Sequence, residues 1–182
     1  MIIADKLKTS NRAEYLLYMW QVEDIIRAFD CNAERINKEY ISSFKLDNAQ
    51  RKQVETWYEN LCNMMLNEGK REEGHLQICQ NILQNLSDLN AQLLKSSKFP
   101  YYREMYYKVL PYIVELRNKS NEAKEEPELQ VCFELLYGVM LLRLQKKVIS
   151  EETTKAAADI STFLGQLSDY YLKNQKEPID FD

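Results

Sequence analysis

Apolar side chains recur every three or four residues along almost the whole chain, the period of an amphipathic helix. Tyr15, Met19, Val22, Ile26 and Phe29 form one row, and Tyr18 and Ile25 a second beside it. The stripe is wide, as in a helix packed into a globular core. Ser10 or Asn11 is placed to cap its start, with Glu14 in the first turn. A shorter helix is expected from Ala33 to Ser43, carrying Ile36 and Tyr40 with Phe44 just beyond. Lys45-Leu46-Asp47 breaks the pattern, and Asp47 suits a cap for a helix bearing Val54, Trp57, Tyr58, Leu61, Met64 and Met65.

Between Leu66 and Leu76 the pattern lapses. Asn67 to Gly74 is charged and holds Gly69 and Gly74. Each glycine costs a helix about 1 kcal/mol, so a break or hinge is expected here. The alternative is one long helix, since Met65 and Leu76 keep the same phase. Leu76, Cys79, Leu83, Leu86 and Leu93 line the next helix, with Ile82 and Leu89 alongside. It ends before Pro100, because the residue preceding proline is pushed out of helical geometry. Pro100 starts another helix through Tyr102, Met105, Val109, Tyr112 and Leu116, with a kink expected at Pro111.

Asn118 to Glu128 is the most polar stretch and reads as the long loop. Pro127 restarts a helix through Leu129, Phe133, Leu136, Met140 and Leu144. Its centre, from Leu135 to Leu142, is apolar on nearly every face, which predicts a central position. Ser150 caps a last helix whose stripe is Ala156, Ile160, Phe163, Leu167 and Tyr170. Glu151 and Glu152 sit favourably at its positive end. Residues 1–10 read as an N-terminal arm and 175–182 as a fraying tail. The expected fold is therefore all-α: residues 1–182 as a single-domain bundle of six or seven mostly antiparallel helices.

Composition narrows the functions. Four glycines and four prolines in 182 residues are too few for turn-rich β folds or glycine-rich nucleotide loops. A net charge of -4 and a pI near 5.3 argue against nucleic acid as the main partner. Cys31, Cys62, Cys79 and Cys132 form no C-x-x-C pair and read as reduced, mostly buried thiols. The opening residues lack a basic leader before an apolar run, and no apolar run approaches the roughly 20 residues of a membrane span. A cytoplasmic protein is expected, with neither nucleic acid nor membrane as partner.

The opening Met1-Ile2-Ile3-Ala4-Asp5-Lys6-Leu7-Lys8-Thr9-Ser10-Asn11, followed by Ala13 through Asp24 (AEYLLYMWQVED), resembles an uncharacterised family of small all-helical proteins from Bacteroidetes. The similarity extends along the chain, with the N-terminal segment carrying most of it. It implies a bacterial cytoplasmic setting and supplies no catalytic residues.

Candidate chemistry is sparse. Glu72-x-x-His75 has the spacing of a helical metal motif, but one histidine falls short of the paired motifs such sites use. A solvated polar turn is the expectation there. His75 also lacks a nucleophile elbow or cysteine-protease signature to serve. Gly69-Lys70 is no phosphate loop, because Met64 replaces the first glycine and Arg71 the Ser or Thr. No metal or cofactor is expected.

Twelve tyrosines are many for this length. With Tyr102, Tyr106 and Val109 facing the core, Tyr101 and Tyr107 must point elsewhere. Tyr18, Trp20, Tyr101, Tyr107 and Tyr112 are the candidates for an interface or pocket wall, since such rings give large contact area with a polar tip. Tyr18 and Trp20 cannot share one narrow seam, so one of them is expected to meet a partner. Glu23, Asp24 and Arg27 form a candidate polar cluster, with Glu23 and Arg27 spaced as an i, i+4 ion pair. These features favour a protein–protein interaction protein, self-associating or bound to another protein. The alternatives are a small-molecule binder with a Tyr-lined pocket beside Pro111, and an enzyme using acidic residues from several helices.

Overall fold

The computed structural model describes residues 2–119 and 126–182. Among them the chain forms eight α-helices and no strand. These are α1 (Ile2–Ser10), α2 (Arg12–Ala28), α3 (Ala33–Arg35), α4 (Asn48–Asn67), α5 (Gln77–Lys95), α6 (Pro100–Lys119), α7 (Glu128–Leu144) and α8 (Glu151–Lys176). The short α3 runs into a π turn, Ile36–Tyr40, and a 3-10 turn, Ile41–Ser43. The all-α class is as expected. The helix count exceeds six or seven because the N-terminal arm is itself helical. Most of the loop expected at 118–128 lies outside the described residues.

Local chemistry fixes the boundaries. Asn11 Oδ1 accepts from the backbone N–H of Ala13 and Glu14, each at 3.1 Å. Asp47 and Gln50 form a reciprocal capping box at α4. Ser150 Oγ accepts from Thr153 N at 3.1 Å. The break expected after α4 is present. Lys70 N–H bonds Met65 O at 2.7 Å and Gly69 N–H bonds Leu66 O at 3.2 Å, with Gly69 at φ 66°. That is a Schellman ending, whose left-handed residue suits glycine.

The core gathers around α8, which packs against α2, α5, α6 and α7. Its Ile160, Phe163 and Leu167 are fully buried. Central placement of α7 is corrected. Leu129, Val131, Cys132, Phe133 and Val139 are buried, but Leu135, Leu136 and Met140 to Leu142 are half-buried, and Leu144 is exposed. Both helices pack against four others, and the difference is length: α8 has 26 residues, whereas α7 has 17. An all-apolar surface shows that a helix tolerates burial without deciding which helix takes the middle.

The segment expected to fray makes specific contacts. Helix α8 continues to Lys176, and the last residues return to the α5–α6 junction. The Asp182 carboxylate accepts from Ser96 Oγ and Ser97 N, each at 2.6 Å, and Phe181 packs on Phe99 with ring centroids 5.8 Å apart. Those hydrogen bonds hold the Asp182 carboxyl well below the usual carboxylate range. No helical period marks such a tail, because one ring and the carboxylates of Asp180, on Lys98, and Asp182 dock it. All four cysteines are buried and unbridged. Among the described residues no helix is long and apolar enough to cross a membrane.

Candidate functional site

Three places in the fold collect the side chains singled out by the sequence. The first is the polar cluster where α2 meets the start of α5. Glu23 is fully buried. Its Oε2 lies 2.6 Å from His75 Nδ1, and its Oε1 accepts from Leu76 N at 2.9 Å. The His75 ring stacks on Trp20, with centroids 4.1 Å apart and planes at 12°. Tyr137 meets Trp20 edge-on at 5.7 Å and donates its hydroxyl to Asp24. Asp24 in turn accepts from Arg27 Nη1 at 2.9 Å. Arg27 also donates to the carbonyls of Lys70 and Gly74.

The electrostatics follow from burial. Desolvation, then the hydrogen bond to Asp24, pushes the Tyr137 hydroxyl above its ordinary value. Burial and the neighbouring Glu23 carboxylate push the Cys79 thiol up, which keeps it protonated and unreactive. Glu23 satisfies an orphan N–H at the start of α5, where a carboxylate is favoured by the helix dipole. Arg27 grips two loop carbonyls. The cluster therefore fastens the 69–76 connection onto α2.

Glu23, Asp24 and Arg27 do come together, but the expected Glu23–Arg27 pair does not form. Arg27 turns to Asp24 and the loop, leaving Glu23 to His75. The solvated turn expected at Glu72-x-x-His75 holds for the Glu72 side chain, 89% exposed, and fails for His75, whose side chain is 32% exposed against Trp20. No local spacing reveals a contact across 52 positions. Trp20 is 3% exposed and packs inside this cluster. Among the described residues no group of three metal-ligating side chains converges.

The second place is the outer face of α6. Tyr102 and Val109 are buried, while Tyr101 and Tyr107 are 64% and 61% exposed, as the helical phase requires. Tyr107, Leu110, Pro111 and Val114 line a shallow groove of about 660 Å³. Tyr107 is its one tyrosine. Tyr112 turns inward instead and donates to Asp159 Oδ2 at 3.1 Å, beside the Lys108–Asp159 bond of 2.6 Å. The bond from Lys108 holds the Asp159 carboxyl below its ordinary value. Tyr112 is thus a tie between α6 and α8 rather than a surface ring.

The third place holds Tyr18. It lines an apolar pocket of about 470 Å³ with Ile3 of α1, Tyr40 of the π turn, Phe44, Lys45 and Leu46 of the following loop, and Val54 of α4. The pocket brings together residues that no sequence motif links.

These features define an all-helical protein with an internal acid–imidazole fastening and exposed aromatic rings on one helix. The chain belongs to the family described as Domain of unknown function (DUF4924), which matches residues 1–178. Its likeness to an uncharacterised family is thereby established. No curated protein and no solved structure matches the chain.

Proposed function

We propose that this chain is an interaction protein that pairs with a second copy of itself through the outer face of α6. A bacterial cytoplasmic setting, implied by the family resemblance, is part of this reading. The observation that carries it is the layout of that face. Tyr107, Pro111 and Val114 form an exposed apolar row one turn apart, with Tyr107 61% and Val114 49% exposed. Exposed rings and branched side chains at helical spacing suit a helix-to-helix contact.

The charges beside the row choose the partner. Glu104, Lys108, Glu115 and Lys119 are all exposed and lie along one side of it. Two such helices laid antiparallel set Glu104 against Lys119 of the other copy, and Lys108 against Glu115. A parallel pairing puts the two charge rows on opposite edges of the seam, where neither row meets the other. The face is therefore self-complementary about a two-fold axis, the requirement of an isologous dimer. Within one chain Lys108 is held by Asp159 and Lys119 by Glu115. Rim pairs of this kind contribute about 0–1 kcal/mol, so they set orientation while the apolar row supplies affinity.

Charge reversal tests the arrangement. By sedimentation equilibrium, Glu104→Lys is expected to weaken the dimer, and Glu104→Lys with Lys119→Glu to restore it. Equal association by the single and double variants contradicts the antiparallel pairing.

A further inference from the structure

We propose that the pocket between α1, α2, the π turn and α4 binds a small aromatic monocarboxylate, with the ring among Tyr18, Tyr40 and Phe44 and the acid group at Lys45. This site is separate from the α6 face and stands or falls independently of it.

Size and lining set the ligand class. A volume of about 470 Å³ lies within the roughly 300–1,000 Å³ of small-molecule pockets. The walls are aromatic and branched aliphatic side chains, and among the described lining residues Lys45 is the one that is charged. Tyr40 and Phe44 already meet edge-on, with centroids 4.9 Å apart. A ligand ring is attracted to aromatic walls beyond the area it buries, an advantage an alkyl chain lacks. One exposed cation on an otherwise apolar wall selects one anionic group, and a carboxylate matches a lysine ammonium.

The local backbone gives the pocket a fixed shape. Ile36–Tyr40 is a π turn, a rare geometry found often at functional sites, and its last residue is a wall of this pocket. The loop that follows is pinned from outside. Arg51 donates to the carbonyls of Ile41 and Phe44, each at 3.2 Å. Burial pushes the Tyr18 hydroxyl up to about 12, so it remains protonated beside a bound anion at neutral pH. Ile3, 51% exposed, stands at the rim.

Calorimetric titration of the full chain with 1-naphthylacetate tests this. Saturable one-to-one binding is expected. Lys45→Gln should weaken it about fivefold, the effect of losing about 1 kcal/mol from one exposed ion pair. The uncharged 1-naphthylacetamide should show a similar loss against the unaltered chain, which needs no variant. Ile3→Glu should also weaken the acid, by repulsion at the rim. Absence of saturable binding overturns the proposal. So does equal binding of acid and amide together with indifference to Lys45→Gln. Decanoate binding more tightly than 1-naphthylacetate overturns the aromatic assignment.

Discussion

Glu23 uses both carboxylate oxygens, one for His75 and one for the first free N–H of α5. Removing one partner of a buried charged contact leaves the others unsatisfied, which costs about 3 kcal/mol or more. Glu23→Ala is therefore expected to lower stability by about 3 kcal/mol. Glu23→Gln keeps an acceptor for Leu76 N and should lose about 1 kcal/mol. Urea unfolding of both variants checks this through the midpoint, with the slope unchanged. The sequence picked out Glu23, Asp24 and Arg27 from their closeness along one helix. It missed His75 and Tyr137, because spacing within a helix reports neighbours one turn away. The only hint was that Trp20 and Glu23 share a helix face. Tyr101 and Tyr107 were legible for the converse reason: phase alone decides that a ring next to a core position points away.

At the scale of elements, helix positions and caps were readable because period, Asn11, Asp47, Ser150 and the Gly69–Gly74 segment all act locally. The π turn was not readable, since Ile36, Tyr40 and Phe44 share the spacing of an ordinary helix. Two endings conflict with their residues: Asp30 and Cys31, both at φ 56°, follow α2, and Lys146 follows α7. Lys146 closes α7 at φ 56°, with Lys147 N–H on Leu142 O at 3.0 Å. A left-handed lysine is strained by about 1 kcal/mol relative to glycine. Lys146→Gly is expected to raise stability by up to about 1 kcal/mol, measured by thermal and urea unfolding. The tie between α6 and α8 has a pH signature. Asp159 has a lowered folded value, so its contribution is present above its ordinary value of 3.8 and is lost as pH falls through the lower folded one. Lys108 has a raised value, so its contribution is full below 10.5 and is lost as pH rises through the higher folded one. Asp159→Asn should therefore lower Tm at neutral pH, with the difference from the unaltered chain fading in strong acid.

At the scale of the whole molecule, the core is built around α8 and leaves Tyr107, Pro111 and Val114 of α6 uncovered. A standard interface buries about 800 Å² per partner, more than three side chains supply. The antiparallel register we propose would extend the contact along the 20 residues of α6. Tyr107 is 61% exposed and touches the core only through the edge of Tyr106, so altering it leaves the fold intact. The most direct measurement is the solution mass of the unaltered chain and of Tyr107→Glu, by light scattering behind size exclusion. Self-pairing through α6 predicts twice the chain mass of 21.6 kDa for the first and the single mass for the second. A single mass for the unaltered chain at high micromolar concentration, or a doubled mass that survives Tyr107→Glu, contradicts it.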